Sequence, residues 1–492
     1  MTKRVSIVGA GLGGLATAIR LAKAGFDVTV YEKNKNPGGK MNEYRQGQYR
    51  FDTGPSLLTM PFVVDDLFRF TGYKREDFVR FLAVDPVCRY FYRDGSLLDT
   101  HANQQHMAQS IADFAPGEEK NYHRYITYCE ELYNLAGGVF LFSPIHELRK
   151  IITVKNLPLL FKLHKLDAWR TVDTSLRTFF KDDRLIQLFG RYATYNGSDP
   201  YQAPATLNII PHVEYNLGAY YVEGGMYRLV EALVQLCKNL DIPIHSSAQI
   251  QKIWHEDGKL KGIILENRQI AFDIVVCNSD VVYTFETMID GYGSRRQKLQ
   301  KLEPSLSGMV FLWNINKTVP NLAHHNIFFG SDYRREFEQM FRDKIPAEDP
   351  TIYIAITCRR DKTHAPAGCE NWFILVNMPY ITDRQNWPEH VNWVRKQILT
   401  RLEAMDIRVA EHIEEETVFT PESFHDIYGA NRGSIYGLSS NSQFSAFLRP
   451  PNRSRDINGL YFASGSTHPG GGIPLVLLSG KLTAEMIMER HG

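Results

Sequence analysis

Gly9-Ala10-Gly11-Leu12-Gly13-Gly14 follows a short apolar run, Lys3 to Val8, and precedes Leu15, Ala16, Ala18, Ile19, Leu21 and Ala22 at helical spacing. A strand, a GxGxxG turn and a helix in that order make a pyrophosphate site. Gly9 permits the tight turn, Gly11 lets a phosphate approach the backbone, and Gly14 allows close helix-to-strand packing, with Gly13 inside the same turn. The first amides of the helix and its positive dipole end favour the phosphate charge. Val28-Thr29-Val30-Tyr31 supplies a second strand ending at Glu32, whose carboxylate is placed to accept both hydroxyls of an adenosine ribose. An acid there disfavours a 2′-phosphate, so NADP is a poor fit.

The next residues separate a flavin from a nicotinamide. Lys33 and then Asn36-Pro37-Gly38-Gly39-Lys40 set a second glycine pair beside a cation, which suits a backbone packed on a longer cofactor with Lys40 near its ribose or phosphates. Phe51-Asp52-Thr53-Gly54-Pro55-Ser56 reads as a strand end and a turn, with Gly54, Pro55 and Ser56 running along a flavin ring. Near the other end, the strand Gly459 to Ala463 leads through Ser464-Gly465-Ser466-Thr467-His468-Pro469-Gly470-Gly471-Gly472-Ile473-Pro474 into a helix from about Leu475 to Glu489. Its dipole would favour negative charge at the pyrimidine end of a reduced flavin. Gly465, Ser466, Gly471, Gly472 and Ile473 are therefore read as cofactor-binding, and the cofactor as FAD in a site closed by both ends of the chain.

These turns need elements to hold them. Behind Gly224-Gly225-Met226, Leu229, Val230, Leu233, Val234 and Leu236 mark an amphipathic helix; strands at Ala248–Ile253 and Leu260–Leu265 flank the turn formers Asp257-Gly258; Ile274 to Asn278 is a buried strand ending in a turn. Alternation in Val310 to Ile315 and Thr351–Thr357, with Trp372–Asn377, argues for a second sheet. At 492 residues the chain has room for two to four units, and 43% hydrophobic with 23% charged residues is ordinary for a globular protein. A formal charge of +1 offers no field for nucleic acid. Six cysteines without a CxxC pair read as reduced core thiols, and no apolar run approaches a membrane span, so the expected location is cytoplasmic. No metal is expected: Cys358, His364 and Cys369 lack zinc spacing, and the adjacent His324 and His325 should point to opposite faces of a strand. Neither GxSxG nor a local Cys/His signature supports a hydrolase.

The glycine turn with Glu32, the Gly38-Gly39-Lys40 element, the Phe51-to-Ser56 turn, Tyr221-Val222-Glu223-Gly224-Gly225-Met226 and the Thr467-to-Ser479 signature together resemble the phytoene-desaturase family of carotenoid desaturases, within the flavin amine-oxidase-like group. Ser464 stands where that family usually has glycine, and Gly471 where a small side chain is usual. Tyr428-Gly429, Gly433-Ser434, Tyr436-Gly437 and Arg449-Pro450 look like the flavobacterial type, most similar to 1-hydroxycarotenoid 3,4-desaturases. The resemblance implies an α/β fold: a discontinuous Rossmann-like FAD-binding domain (1–75, 215–290, 430–492) and an α+β substrate domain (76–214, 291–429) with a helical lid. It also implies that the backbone at Ile250 meets the adenine and that Asn278 joins the cofactor site.

Between Glu147 and Arg170 six lysines or arginines face two acids amid large apolar residues, so 139–170 is a candidate membrane-contacting segment, peripheral rather than spanning. Desaturation needs an electron sink, which FAD provides, and proton loss from a substrate cation spread along a polyene. A strong base is optional for so acidic a cation. The candidates are His146, Glu147 and Arg149, the last aligned by resemblance with a family arginine, while His146 replaces a common acid. With no second βαβ GxGxxG for NADPH, oxygen or a membrane quinone would take the electrons. The alternatives are a phytoene desaturase, an amine or porphyrinogen oxidase, a saturase, and a non-catalytic isoprenoid-binding chaperone.

Overall fold

A computed structural model describes residues 2–137, 141–143, 145–147, 163–442 and 449–492. Arg149 and most of 139–170 lie outside the described residues. A five-stranded parallel sheet carries the order Leu460–Phe462, Ile274–Cys277, Arg4–Val8, Asp27–Tyr31, Ile244–His245, so strands far apart in the chain become neighbours. Val5, Ile7, Ile274, Val275 and Val276 are fully buried, the continuous apolar run that a sheet covered on both faces requires. Helices Leu12–Lys23 and Ile473–His491 pack so closely that a Cβ on Gly480 would lie 2.6 Å from the Gly13 carbonyl oxygen. The helix Arg228–Asn239 shares this core through Leu229, Leu233 and Leu236.

The hairpin expected beside Asp257-Gly258 joins Ile250–Glu256 to Lys259–Leu265, and both turn residues adopt positive φ (49° and 73°), the geometry that matches the twist of a tight hairpin. Arg268–Ala271 completes this small antiparallel sheet.

The second large sheet has seven strands in the order Ile413–Phe419, Ser307–Ile315, Glu370–Met378, Ile352–Ile356, His325–Phe328, Cys88–Phe91, Leu97–Thr100. All its pairings are antiparallel except His325–Phe328 with Cys88–Phe91. Ser307–Ile315 is buried along its whole length and shares its core with the helix Trp387–Glu403. A helical layer including Glu119–Ala136, Asp183–Gly190 and Ile209–Tyr215 packs an aromatic core of Tyr122, Tyr125, Phe180 and Phe189. The chain thus has α/β architecture built on two sheets. Among the described residues, no helix is long and apolar enough to cross a membrane.

One expectation is corrected here. His324 precedes the strand His325–Phe328, so strand alternation does not govern the pair, and their rings meet edge to face with centroids 4.3 Å apart. Both are buried, which pushes both imidazoles well below their ordinary pKa, His325 to about 3.

Candidate active site

A cavity of about 860 Å³ runs between the two sheets. Every glycine-turn residue proposed from the sequence lines it except Gly14. Gly14 acts beneath the wall: a Cβ there would sit 2.2 Å from the Gly9 carbonyl oxygen, so any side chain would force the helix off the turn. Gly9 itself has φ 105°, open to glycine and strained for other residues. Gly11 does more than admit a phosphate. Its amide donates to Asn278 Oδ1 at 2.9 Å, and a Cβ would lie 2.5 Å from that oxygen. Asn278 Nδ2 in turn donates to the Ala463 carbonyl, so one side chain ties the first glycine turn to the last strand.

Glu32 is buried at the end of its strand, accepting from the amides of Ala10 (2.8 Å) and Asn34 (2.9 Å). A carboxylate has about four acceptor positions, so two remain for ligand hydroxyls. Lys33 also lines the cavity, with Nζ donating to the Asp426 carbonyl. Ile250 and the Gly38-Gly39 pair line the cavity too. Lys40 Nζ donates to the carbonyls of Ser434 and Ile435, while burial lowers its pKa to about 8 and nearby Asp280 opposes that shift. Burial holds the Asp280 carboxyl above the ordinary range, the mirror effect. Asp280 lay in no recognised motif, and only the fold sets it opposite Lys40.

Gly54, Pro55 and Ser56 form another stretch of wall, and Ser56 Oγ meets the Tyr353 hydroxyl, which also bonds His325 Nδ1 at 2.8 Å. From the C-terminal loop come Gly465, Ser466, Gly471, Gly472 and Ile473. Ser466 Oγ accepts from the Val281 amide at 2.9 Å, tying this loop to the Asn278 segment. Helices Leu12–Lys23 and Ile473–His491 both begin on the cavity, and neither has a side-chain cap. Their positive dipole ends therefore face the same space.

The expected acid–base residues sit differently. His146 and Glu147 are absent from the cavity wall, although Ile145 belongs to it. His146 Nε2–H donates to the Arg449 carbonyl at 2.7 Å, and Glu147 pairs with Arg490 at 3.0 Å. His468 does line the cavity, its Nε2–H donating to the Ser143 carbonyl at 2.9 Å, its ring 6.1 Å from that of His146, its pKa lowered by burial to about 4. Sequence reasoning missed a polar cluster deeper in the wall. Glu214 accepts from Tyr192 (2.6 Å) and Tyr195, and the Arg191 guanidinium lies over the Tyr192 ring at 4.4 Å while donating to the Tyr90 hydroxyl. Away from the cavity, Asp85, His101 and His106 bring ligand atoms within 4.8 Å of one another at the surface.

A buried carboxylate with two acceptor positions left, two helix starts without side-chain caps, and Gly11, Gly13, Gly38 and Gly54 with no room for a Cβ, all on one cavity, fit an adenine-dinucleotide flavin. The chain belongs to the flavin containing amine oxidoreductase family, whose model matches residues 12–488. It is an FAD-dependent oxidoreductase. It is 38% identical to a 1-hydroxycarotenoid 3,4-desaturase of Flavobacterium sp. (strain P99-3) and 35% identical to a 4,4'-diapolycopene oxygenase of Methylomonas sp, over 99% of this chain and 99% and 98% of theirs. A solved putrescine oxidase variant shares the fold, with TM-score 0.65, 14% identity and full coverage of both chains.

Proposed function

We propose that the protein is a carotenoid desaturase, acting as a 1-hydroxycarotenoid 3,4-desaturase. The observation that supports this most is the apolar continuation of the cavity beyond the glycine turns. Leu141, Ile145, Leu207, Ile209, Ile210 and Val213 wall it, and they offer a hydrocarbon chain contact without polar partners. The names of the two relatives supply the substrate class. FAD, when bound, is the electron sink that accepts a hydride from the substrate. The chain itself binds and orients: Glu32 fixes the adenosine end, the two helix starts hold negative charge, and the apolar wall excludes water from a substrate cation.

None of His146, Glu147 and Arg149 is required as a base on this reading, because a cation conjugated with a polyene gives up its proton readily. His146 and Glu147 are committed to Arg449 and Arg490, and they support the segment beside the cavity. Oxygen or a quinone takes the electrons. The basic, apolar stretch within 139–170 meets the bilayer from which a carotenoid would enter.

The test is expression in cells accumulating either phytoene or a 1-hydroxylated acyclic carotenoid, followed by pigment chromatography and mass. Loss of two hydrogens from the hydroxylated compound alone is expected. Conversion of phytoene instead would make this an early-pathway desaturase, and gain of oxygen would make it an oxygenase like the second relative.

A further inference from the structure

Arg449 is the one side chain of the cavity wall whose charge the described residues leave unanswered. It is 3% exposed, its Nη1 donates to the Gly465 carbonyl at 3.3 Å, and no carboxylate pairs with it among the described residues. The backbone makes room for it. Gly470 has φ 136°, and a Cβ there would lie 3.0 Å from Arg449 Nε. Other buried arginines in the molecule have compensation: Arg50 bonds Asp52 and Glu43, Arg20 bonds Asp66, Arg401 bonds Asp349, and Arg191 lies among tyrosine rings near Glu214. A buried guanidinium without a counter-charge is costly, and a protein keeps one where a ligand brings the missing negative charge.

Which negative charge is decided by position. The pyrophosphate belongs at the start of Leu12–Lys23, beside Gly9 to Gly13. Arg449 lies instead against Gly465 and Gly470, in the loop that leads to Gly472 and the start of Ile473–His491. That helix start is where the pyrimidine end of the flavin is expected. The neighbouring imidazoles cannot supply a permanent charge there, because burial keeps both His146 and His468 neutral at pH 7. Even Arg449 is shifted by its burial, toward about 10, and it still stays protonated at neutral pH.

We propose that Arg449 is the counter-charge of the reduced flavin: it favours the anionic reduced state over the oxidised state and so raises the two-electron reduction potential of the bound cofactor. The balance is simple. A hydride carries two electrons and one proton from the substrate C–H bond to the neutral oxidised flavin, which thereby gains one negative charge, and the Arg449 guanidinium offsets it. The second proton leaves the neighbouring substrate carbon and ends with the electron acceptor. The inference rests on flavin binding alone and not on which substrate is oxidised, so it survives failure of the carotenoid reading.

The experiment is a dye-equilibrated reductive titration of the purified holoenzyme, wild type against R449K, R449Q and R449M, with flavin content measured for each. Loss of the charge should weaken binding of reduced relative to oxidised flavin tenfold or more in R449Q and R449M, which is a fall of about 30 mV per tenfold for a two-electron couple. R449K should stay nearer the wild type. Variants that bind flavin at an unchanged potential overturn the proposal. So do variants that lose affinity equally in both redox states, which would make Arg449 a phosphate ligand or a packing residue. Should R449Q and R449M not fold, sulfite decides on the wild type, because its addition to flavin creates the same negative charge. Bleaching of the flavin absorbance by sulfite is expected, and a spectrum unchanged by sulfite overturns the assignment.

Discussion

The two walls of the cavity are built on opposite principles. The glycine-turn wall is made largely of backbone: turns in which Gly11, Gly13, Gly38 and Gly54 leave no room for a Cβ, and two helix starts without a side-chain cap. The other wall is made of side chains, the apolar Leu141, Ile145, Leu207 and Val213 together with Arg191, Tyr195 and Glu214, which Tyr192 joins into one buried cluster. A backbone wall tolerates almost no substitution and recognises a ligand common to many enzymes. A side-chain wall can be exchanged residue by residue, which is how one fold serves an amine oxidase and, in its relatives, carotenoid enzymes.

The largest effect expected from this contrast is at Gly14. Gly14→Ala drives a Cβ against the Gly9 carbonyl, which no side-chain motion relieves, and should cost about 3 kcal/mol. Purified protein should contain little flavin by its absorbance ratio. A normal flavin spectrum in this variant would falsify the backbone account of that wall.

Next comes Glu32→Ala, which orphans the Ala10 and Asn34 amides and removes the acceptor proposed for the ribose. At about 1.5–3 kcal/mol for bonds to a charged group, the flavin dissociation constant should rise roughly tenfold to a hundredfold. Unchanged affinity in fluorescence titration would place the adenosine elsewhere.

Both walls bury neutral imidazoles, and acid should unsettle each. His468 is pushed down to about 4 and His325 to about 3, whereas an unfolded histidine takes a proton below about 6.5. The unfolded chain therefore binds more protons between those values. The stability these residues contribute is complete above about pH 6.5 and drains away as pH falls toward 4 or 3, by roughly 2 kcal/mol per residue between pH 7 and pH 5. Urea midpoints at the two pH values should converge for H468N and for H325N relative to wild type. If only one variant shows this, the burial of the two walls is not equivalent.

Smallest is Glu214→Gln. The amide offers one acceptor to the two tyrosine hydroxyls that now share the carboxylate, a loss of about 1 kcal/mol. Stability and substrate KM should shift while flavin content and spectrum stay at wild-type values. Loss of flavin from this variant would erase the division between the two walls.

Most strands and helices around the cavity were readable within a residue or two, while the strand expected at Ala248–Ile253 runs Ile250–Glu256. Lys3 to Val8 became Arg4–Val8, Ile274 to Asn278 became Ile274–Cys277 with Asn278 just beyond, and the C-terminal helix began at Ile473 beside its glycines. Gly9, Gly11, Gly38 and Gly472 were legible because a turn with positive φ, or a wall closed to a Cβ, dictates residue type locally. Asp280 opposite Lys40, the contact of His324 with His325, and the cluster of Tyr90, Arg191 and Glu214 were not legible. His324 and His325 follow strand alternation only if both lie in the strand, and the sheet begins at His325.

The sequence by itself determined the glycine turns, the acid at the end of the second strand and the two kinds of sheet, because backbone sterics and hydrophobic period act over a few neighbouring residues. The tertiary structure alone decided which charges stand compensated and which do not. Tyr90 reaches Arg191 across 101 positions and Gly11 reaches Asn278 across 267, while Arg449 has no carboxylate partner among the described residues. Electrostatic partnership depends on distance in space and on burial, and neither is written in the order of the chain.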